Sequence, residues 1–367
     1  MKIIVTGAAG FIGSRFCEMA VAQGHDVVGV DSLAYSGRLK NLERLKHSAF
    51  RLVYDDICDA PAMRAAFQCF QPDAVIHLAA ETHVTRSISS REEFLRTNVI
   101  GTNVLLEVAL EYWQTHADKE DGLFFPTGFR FLHVSTDEVY GSLGADEEPW
   151  TEASPYAPKN PYSASKAASD HLVMAFHNTY GLPVIVTHAA NNYGPRQHPE
   201  KLIPTLVRQC MRGEPMTLHG DGQQKRDWLH VDDHCAGLLA ALERGKVGET
   251  YNFGGECERT NYQVATLVSH YVTNGGFGQV NYIEDRPGND RRYLMSIAKA
   301  AHGLNWRPQR KIEEVIAETV RWYLENPNYG DDYGSTATGI GFGMLGNGQM
   351  GTVITTSSTP SNWMALR

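Results

Sequence analysis

The sequence predicts an α/β protein in which a doubly wound parallel sheet carries a smaller, partly interleaved domain. Three observations lead to this prediction. Short β-branched runs alternate with helical patterns in the first half of the chain, a glycine-rich turn joins the first strand to the first helix, and strand-like runs recur beyond residue 180. Alternation of this kind is typical of parallel βαβ units with helices on both faces of the sheet.

The predicted elements follow one another in order. The first strand, "KIIVTG", leads into the helix "SRFCEMAVAQG" and the strand "DVVGVD", and later strands are "AVIHLAA" and "FRFLHVSTDEVYG". After a helix from about Ser163 to Tyr180, the runs "PVIVTHAANNYG" (183–194) and "ETYNFGG" near residue 251 supply further strands. The sheet therefore draws on two stretches of the chain.

Composition and charge exclude several classes of protein. The chain has 367 residues, 42% of them hydrophobic, and a net charge of −9, which disfavours a nucleic-acid partner. It begins "MKIIVTGAAG", without a charged leader or a long apolar region, so secretion and membrane insertion are not expected. Six scattered cysteines and 15 unclustered histidines predict reduced thiols, no metal site and a cytoplasmic location.

A dinucleotide site is predicted at the first glycine-rich turn. Gly7, Gly10 and Gly13 in "TGAAGFIGS" follow a strand and open a helix, so backbone amides and the helix dipole can meet a pyrophosphate. The next strand ends at Asp31, whose carboxylate can accept both ribose hydroxyls of an adenosine. Because Asp31 would repel the 2′-phosphate of NADP, the predicted cofactor is NAD, bound by a Rossmann-type sheet.

Other strand ends on such a sheet face the adenine and the middle of the cofactor. Besides the glycines and Asp31, the residues predicted to contact NAD are Phe11, Ile12, Asp56, Ile57, Leu78, Ala79 and Ala80. Arg38 and Lys40 lie close behind Asp31 and are the one feature that favours NADP. Glycines that serve only tight packing of helix against strand are the alternative interpretation.

A tyrosine and a lysine lie four residues apart on the helix predicted after residue 160. Tyr162 and Lys166 in "NPYSASKAASDHL" therefore project from one face. A lysine ammonium beside a phenol and a cationic nicotinamide favours phenolate, which would make the tyrosine a base near neutral pH. Such pairs are commonplace on helices, but the dinucleotide loop and the upstream "STDEVYG" make this one a candidate for carbinol oxidation.

Two adjacent carboxylates end the strand in "FLHVSTDEVYG". Thr136, Asp137 and Glu138 lie at the carboxyl edge of the predicted sheet, where ligands bind. Such a pair can be a solvated turn. Facing a redox cofactor, one carboxylate can instead act protonated and the other ionised, as the acid and the base of one elimination. The Thr136 hydroxyl could hold the substrate's oxygen while Tyr162 takes its proton.

Several motifs together make the chain resemble a known family. They are "GAAGFIGS", "HLAAETHVTRSI", "STDEVYG", "PYSASKAASDHL", "NNYGPRQHPEKLIP", "GDGQQKRDWLHVDDH" and "RPGNDRRY". Across about residues 1–327 the chain resembles the extended short-chain dehydrogenases, and specifically the nucleoside-diphosphate-glucose 4,6-dehydratases, best known with dTDP-glucose. Relatives that epimerise or decarboxylate typically lack the Asp-Glu pair after the threonine, which this chain has.

The resemblance implies a dehydration in which NAD ends as it began. Tyr162, supported by Thr136 and Lys166, would remove the C4 hydroxyl proton while NAD takes the C4 hydride. Glu138 would remove the C5 proton as Asp137 protonates the departing C6 hydroxyl, and the hydride would return to C6. The product would be the 4-keto-6-deoxy sugar nucleotide. Tyr162 and Lys166 would also contact NAD. Such an enzyme gains by holding the cofactor tightly and by excluding water.

The resemblance also implies the residues that hold the substrate. The family's substrate positions fall on Thr82, Thr136, Asn191, Lys201, Leu202, His219, Arg226, Asn261, Arg286 and Asn289. Thr97 and Asn192 match cofactor contacts. Lys201, Arg226 and Arg286 suit a diphosphate, because fixed cations pair well with phosphate oxygens, although isolated basic residues are more often surface charges.

The chain departs from the family pattern around the nucleotide. Asn289 stands where the family usually has His in "RPGHDRRY", and Thr85 replaces a usual Asp in "HVTRSI". His219 occupies a place where an aromatic ring often stacks on the nucleobase. These departures weaken the preference for thymine over uracil and leave the reaction class unaffected.

Three alternative functions stay open at this point. They are a UDP-glucose 4,6-dehydratase, a nucleotide-sugar epimerase or uronate decarboxylase on the same scaffold, and a non-catalytic NAD or nucleotide-sugar sensor. Asp137 argues against epimerisation and decarboxylation, because neither reaction expels a C6 hydroxyl and so neither needs this acid. The resemblance also implies a homodimer whose contact includes the segment from about Ser165 to Tyr180.

The chain divides into three predicted parts. Residues 1–194 and about 228–257 form the dinucleotide-binding domain, about 195–227 and 258–327 the substrate-binding domain, and 328–367 a Gly/Ser/Thr-rich tail. The glycines of "GIGFGMLGNGQMG" suggest a second phosphate loop, but the following "TVITTSSTPS" lacks the helix that would hold a phosphate. We therefore expect a mobile or loosely packed tail.

Overall fold

A seven-stranded parallel sheet forms the centre of the structure, a computed structural model that describes residues 1–45, 49–116, 118–120, 123–125, 128–331, 340–344 and 350–354. The strands are β1 (Lys2–Thr6), β2 (Asp26–Asp31), β3 (Phe50–Tyr54), β4 (Ala74–His77), β5 (Asp118–Glu120), β6 (Leu123–Phe125), β7 (Arg130–Thr136), β8 (Val184–Ala189), β9 (Asn191–Tyr193), β10 (Met216–His219), β11 (Lys225–His230), β12 (Thr250–Phe253), β13 (Glu258–Thr260), β14 (Val280–Ile283), β15 (Ile340–Met344) and β16 (Met350–Ile354).

Eleven α-helices accompany these strands in the described residues. They are α1 (Phe11–Ala22), α2 (Ala60–Phe70), α3 (Val84–Ser89), α4 (Arg91–Phe94), α5 (Thr102–His116), α6 (Pro161–Tyr180), α7 (Leu202–Met211), α8 (Val231–Arg244), α9 (Asn261–Val272), α10 (Ala298–Gly303) and α11 (Ile312–Glu325). Two 3₁₀ segments, Leu39–Leu45 and Asp137–Tyr140, and one π-helical segment, Leu95–Gly101, complete the helical elements.

The order of the strands explains where a ligand can enter. Across the large sheet they run β12-β8-β7-β4-β1-β2-β3, and all neighbours are parallel. The chain builds outward from β1 in one direction to β3 and then in the other from β4 to β12. A crevice opens at the carboxyl ends of the strands where this direction reverses. The predicted doubly wound parallel sheet is confirmed.

Both faces of the large sheet are covered, which explains why its strands are apolar throughout. Ile3 and Val5 of β1 pack in the same cluster as Phe16 of α1, whereas Ile4 packs on the opposite face with Phe67 of α2. All five side chains are at most 1% exposed. Alternate residues of a strand point to opposite faces, so only a continuous apolar run can fill both layers.

The predicted strand 183–194 is in fact two strands of different sheets. Val184–Ala189 lies in the large sheet, and Asn191–Tyr193 pairs with β11 in a three-stranded sheet that also contains β13. The chain crosses from one sheet to the other at Ala190, whose backbone N–H bonds to the carbonyl of Phe253. A β-branched run does not reveal such a crossing. The crossing brings Asn191 and Asn192 to the crevice.

Another hydrophobic cluster supports the small sheets. Helices α7, α9 and α11 pack together around it, and its largest fully buried side chain is Tyr193. The three-stranded sheet and the pair β10-β14 lie with these helices. This arrangement places the loop after β14 beside β11.

Helix α6 begins at Pro161, two residues before the predicted start at Ser163. The Asn160 side chain accepts the N–H of Ser163 at 2.9 Å, and the Ser163 hydroxyl in turn accepts the Asn160 N–H, which forms a capping box. Proline suits the first helical position, because its fixed φ matches the helix and its missing N–H is not needed there. The helix ends at Tyr180, before Gly181 with φ of 76°.

The beginning of the predicted tail is packed against the domain. Tyr329 is 3% exposed, and its hydroxyl lies 2.9 Å from Asn41 Oδ1 and 2.8 Å from the Arg196 carbonyl oxygen. This part of the tail prediction is wrong, because a buried aromatic ring fixes the segment. Further on, β15 and β16 form an antiparallel pair. Residues 332–339, 345–349 and 355–367, on which the rest of the tail prediction falls, lie outside the described residues.

Two further expectations concern membranes and cysteines. Within the described ranges, no helix is long and apolar enough to cross a membrane. All six cysteines belong to these ranges and none is in a disulfide. Cys17, Cys235 and Cys257 are buried, whereas the other three are partly or fully exposed.

Candidate active site

A cleft of about 1060 Å³ opens at the carboxyl ends of β1, β2, β4 and β7. It is lined by the residues that follow these strands, among them Gly7, Asp31, Leu78 and Asp137. This is the place where the order of the parallel strands reverses, and ligands of doubly wound sheets bind there. The cleft therefore brings together the segments that the sequence singled out.

The glycine-rich turn lets backbone approach backbone at one end of the cleft. Gly7 has φ of 69°, and a Cβ atom on it would lie 2.8 Å from the backbone nitrogen of Ala79. A Cβ atom on Gly13 would lie 2.0 Å from the Gly7 carbonyl oxygen. Gly10 precedes the first residue of α1, so the positive end of the helix meets the cleft. The turn fits the pyrophosphate of a dinucleotide.

The Asp31 carboxylate is fixed beside this turn. Its Oδ2 accepts the N–H of Ala9 at 2.8 Å, and its Oδ1 accepts the N–H of Leu33 at 2.8 Å. Burial raises the pKa of Asp31, and these two hydrogen bonds counteract that rise. A carboxylate held at the end of β2 fits the ribose of NAD.

The two basic residues that follow Asp31 in the sequence, Arg38 and Lys40, make their contacts outside the cleft. The Arg38 guanidinium lies 5.9 Å from the ring centre of Tyr329, and Lys40 lines a separate, smaller cavity. Neither is among the residues that line the cleft. The feature that favoured NADP in the sequence is therefore absent from the cleft wall.

The residues predicted to contact NAD lie along the same cleft, except Lys166, which is not among its lining residues. The cleft is lined by Gly7, Gly10, Phe11, Ile12, Gly13, Asp31, Asp56, Ile57, Leu78, Ala79, Ala80, Thr97, Tyr162 and Asn192. Asp56 pairs with Arg96 at 2.8 Å, and Asn192 Oδ1 lies 3.0 Å from Nδ1 of His234. The glycine cradle, the fixed Asp31 and this continuous lining together fit an extended dinucleotide.

The second part of the cleft holds Thr136, Asp137 and Glu138. Strand β7 ends at Thr136, and a 3₁₀ turn then carries the two carboxylates. The Thr136 hydroxyl donates to Asp137 Oδ1 at 3.2 Å and accepts the N–H of Glu138 at 3.3 Å. Thr136 thus joins the two carboxylate residues at this end of the cleft.

The two carboxylates have different surroundings. Asp137 is 2% exposed, and burial together with the charge of Glu138 raises its pKa well above the usual range. Burial also raises the pKa of Glu138, but Arg286, Lys201 and Arg226 oppose this rise. Asp137 is therefore favoured in its protonated form, and Glu138 is favoured as a carboxylate of increased basicity. An acid and a base that act together require such a pair.

Tyr162 and Lys166 lie one turn apart on α6, as predicted. Burial and the charge of Glu138 raise the pKa of Tyr162 far above its ordinary value, although Thr136 lowers it. Lys166 is 4% exposed, its Nζ donates to the Val134 carbonyl oxygen at 2.9 Å, and burial lowers its pKa to about 8. Burial therefore opposes the phenolate form of Tyr162, which the charges of Lys166 and of a bound nicotinamide would favour, so the phenolate stays a prediction.

The predicted substrate residues separate into two groups. Thr82, Thr136, Asn191 and Lys201 line the cleft, and Lys201 Nζ donates to the Thr82 carbonyl oxygen at 2.9 Å. The other positions, which are not among the lining residues of the cleft, are Leu202, His219, Arg226, Asn261, Arg286 and Asn289. The second group belongs to α7, β10, β11, α9 and the loop after β14.

Asn289 holds two arginines of this second group together. Its Oδ1 accepts from Arg226 Nη2 at 3.3 Å and from Arg286 Nε at 3.2 Å, while its Nδ2 donates to Asp285 Oδ1 at 2.6 Å. The Arg226 guanidinium also lies 4.2 Å from the ring centre of Tyr293. Both arginines act on the pKa of Glu138, so this cationic group lies beside the carboxylate end of the cleft.

The remaining predicted positions make contacts at the edge of the small sheets. His219 Nδ1 lies 3.1 Å from the Glu284 carbonyl oxygen, and Asn261 Nδ2 donates to Gln224 Oε1 at 3.5 Å. Leu202 is the first residue of α7, directly after Lys201. The structure thus places these positions around the small sheets and not among the lining residues of the cleft.

The sequence analysis missed a stack of three side chains on the cleft wall. The rings of Tyr35 and His198 are 4.7 Å apart, and the Arg86 guanidinium lies 4.0 Å from the ring centre of Tyr35. All three line the cleft and come from the loop after β2, from α3 and from the segment before α7. His198 belongs to the motif "NNYGPRQHPEKLIP", but no single-sequence signal pairs it with Tyr35.

In the part of the chain that the structure describes, no group of three or more His, Cys, Asp and Glu side chains is arranged to hold a metal ion. The polar groups of the cleft are instead joined by hydrogen bonds and ion pairs among themselves. One example is the Arg86 guanidinium, whose Nη1 lies 3.2 Å from Glu81 Oε2.

Comparison with known proteins identifies the family of this chain. The family model described as GDP-mannose 4,6 dehydratase matches residues 4–319. A dTDP-glucose 4,6-dehydratase of Xanthomonas campestris pv. campestris is 49% identical, with 89% of this chain and 94% of that protein covered. The dTDP-glucose 4,6-dehydratase 1 of Escherichia coli K12 is 46% identical, with 92% and 96% covered.

A solved structure resembles the chain over a similar length. The crystal structure of DesIV, a dTDP-glucose 4,6-dehydratase from Streptomyces venezuelae with NAD and a second ligand bound, has a TM-score of 0.82 and 41% identity. It covers 90% of this chain and 98% of its own. With the match of the family model and these identities, the chain belongs to the GDP-mannose 4,6 dehydratase family of sugar-nucleotide dehydratases.

Proposed function

We propose that this protein is an NAD-dependent hydro-lyase that converts dTDP-glucose to the 4-keto-6-deoxy sugar nucleotide. The observation that carries the proposal is the buried Asp137, favoured in its protonated form, beside the more basic Glu138 at the end of β7. An elimination of water needs an acid and a base of this kind close together. The relatives that are 44–49% identical carry the same activity in their names.

Bound NAD would accept the hydride from C4 of the glucose and return it at C6, and its nicotinamide would add a positive charge to the cleft. Tyr162 takes the proton of the C4 hydroxyl, while Thr136 holds the same oxygen. The buried Lys166 stabilises the phenolate of Tyr162 by its charge. These residues together prepare C4 for oxidation.

The carboxylates then act on the neighbouring carbons. A ketone at C4 acidifies the proton on C5, which Glu138 removes as Asp137 protonates the departing C6 hydroxyl. Asp137 is the residue that separates this reaction from epimerisation or decarboxylation, since neither of these expels a hydroxyl group. The same acid also argues against a binding protein without activity, which would need no buried proton donor at this position.

Three cations would hold the diphosphate of the substrate. Lys201 lines the cleft, and Arg226 and Arg286 lie next to its carboxylate end, joined by Asn289. Guanidinium groups pair with phosphate oxygens through parallel N–H donors, which makes them suited to this task. The remaining positions in this set, Thr82, Asn191, Leu202, His219 and Asn261, would complete the contacts to the sugar and the nucleobase.

The experiment that tests the proposal compares two substrates. The purified protein is incubated separately with dTDP-glucose and UDP-glucose, and the products are analysed by mass spectrometry. We expect a product lighter by one water from dTDP-glucose and a slower reaction with UDP-glucose. A product of unchanged mass would favour epimerisation, and faster dehydration of UDP-glucose would favour uracil as the base.

We further propose that the protein acts in the cytoplasm as a homodimer. Leu95 and Ile100 are 54% and 55% exposed and lie directly before α5, which packs beside α6. Exposed apolar side chains next to two long helices are a feature of association surfaces. Replacing Leu95 by Glu should shift the protein toward monomer in analytical ultracentrifugation.

We also propose a division of the chain into two domains. The dinucleotide-binding domain comprises residues 1–194 and 228–257, and the substrate-binding domain comprises residues 195–227 and 258–327.

A further inference from the structure

A chain of buried hydrogen bonds joins the segment after α11 to the glycine-rich turn of the cleft. The Tyr329 hydroxyl lies 2.9 Å from Oδ1 of Asn41, and the Asn41 side chain donates from Nδ2 to the Ala9 carbonyl oxygen at 2.8 Å. Ala9 stands between Gly7 and Gly10 in the turn. A residue far along the chain thus reaches the turn through a single amide side chain.

The peptide groups on either side of Ala9 are held by different parts of the chain. Its N–H donates to Asp31 Oδ2 at 2.8 Å, and its carbonyl oxygen accepts the Arg38 N–H at 2.9 Å as well as the Asn41 amide. Ala9 is fully buried and is not among the lining residues of the cleft. Contacts to Ala9 therefore set the shape of the turn without occupying the space of a ligand.

The orientation of the Asn41 amide depends on what meets each of its two ends. The Ala9 carbonyl oxygen needs a donor, so Nδ2 must face it, and Oδ1 then needs a donor on the other side. The Tyr329 hydroxyl is that donor, and its one hydrogen is shared with the Arg196 carbonyl oxygen at 2.8 Å. Asn41 is 1% exposed, so bulk water does not readily replace the phenol.

Arg196 connects the same hydroxyl to the wall of the cleft. It lines the cleft, and its backbone has φ of 70°, a conformation that residues other than glycine rarely adopt. Its guanidinium donates from Nη1 to the Asn41 carbonyl oxygen and to Glu18 Oε1 of α1, each at 2.7 Å. Tyr329 therefore lies where Asn41, α1 and a residue of the cleft wall are tied together.

We propose that Tyr329 is a positioning residue of the NAD site, which acts through Asn41 to hold the Ala9 carbonyl group and with it the glycine turn. The inference rests on the proposed function, in which the reduced cofactor must stay bound until its hydride returns to the sugar. A turn held in one shape presents its backbone amides to the pyrophosphate without further ordering, and such preorganisation slows dissociation. The segment after α11 thus contributes to cofactor retention.

The test measures how fast the full-length protein releases the cofactor. Protein loaded with NADH is mixed with excess NAD, and the loss of NADH fluorescence gives the dissociation rate. Tyr329→Phe removes the hydroxyl but keeps the buried ring, and it should release NADH about tenfold faster than wild type. Tyr323→Phe is the matched control, since its hydroxyl donates to the Gln197 carbonyl oxygen at 2.8 Å. This control should release NADH at the wild-type rate.

A double variant separates positioning through Asn41 from a general loosening of the fold. Asn41→Ala should release NADH at least as fast as Tyr329→Phe, and combining both changes should add nothing, because the tyrosine acts through the asparagine. Wild-type release by Tyr329→Phe, equal acceleration by Tyr323→Phe, or effects that add in the double variant would each overturn the inference. The assay needs no sugar nucleotide, so a failure of the proposed dehydration is distinguished from a failure of this inference.

Discussion

The side-chain amide Nδ2 of Asn160 lies 3.5 Å from Oε2 of Glu138, so the residue that caps α6 also contacts the proposed base. This hydrogen bond lowers the pKa of Glu138 against the effect of burial. One residue thus couples the start of the catalytic helix to the charge state of the carboxylate.

Replacing Asn160 by Ser should separate these two tasks. Serine is a good N-cap but is too short to reach Glu138, so stability should hold while the pKa of Glu138 rises. The acid limb of the pH profile of kcat/KM should move to higher pH. Asn160→Ala should in addition lose about 1 kcal/mol of stability. An unmoved acid limb in the serine variant would show that the contact does not tune the base.

Asn289 should control binding of the diphosphate more than the chemistry. Asn289→Ala releases the guanidinium groups of Arg226 and Arg286 and should raise KM for dTDP-glucose about tenfold, with kcat nearly unchanged. Asn289→Asp keeps the acceptor atoms but neutralises part of the cationic charge, so its KM should depend less on salt. If kcat falls instead and KM stays constant, the two arginines act in the chemical step.

Glu138→Gln tests the base at C5. In deuterated water the wild-type reaction should place one deuterium at C5, because the proton returned there comes from a carboxyl group that exchanges with solvent. Loss of the base should slow this incorporation by about a hundredfold, as is typical for a positioned acid or base. Nuclear magnetic resonance of the product measures the label. Undiminished labelling at C5 in the variant would assign the base to another residue.

The buried Lys166 should make the free energy of unfolding depend on pH. Its pKa is lowered from 10.5 to about 8 in the folded chain, so between these pH values the unfolded chain binds more protons. The cost of burying the charge is present in full below pH 8 and disappears as the pH rises to 10.5. Relative to Lys166→Met, wild type should therefore gain about 3 kcal/mol in unfolding free energy over this interval. A difference independent of pH would contradict the burial of a charged lysine.

Local sequence patterns predict the parts of the site that single segments build. The glycine turn, Asp31, the end of β7 and the spacing of Tyr162 and Lys166 each depend on a few consecutive residues, and the structure brings them to one cleft. Periodicity also predicts the parallel sheet, since a strand covered on both faces must be apolar throughout.

Contacts between distant segments are not predicted in this way. The bridge that Asn289 makes between Arg226 and Arg286 depends on how the loop after β14 meets β11, and the stack of Tyr35 on His198 joins two separate loops. The raised pKa of Tyr162 likewise results from burial, which the spacing to Lys166 does not reveal. Tertiary packing decides these features.

The central claim is that one hydride leaves C4 and returns to C6 of the same sugar while water is lost between these carbons. Incubation of the protein with dTDP-glucose deuterated at C4, in ordinary water, tests it most directly. We predict a 4-keto-6-deoxy product, lighter by one water, that carries the deuterium at C6. A dehydrated product without deuterium at C6, or a product of unchanged mass with the label still at C4, would contradict the claim.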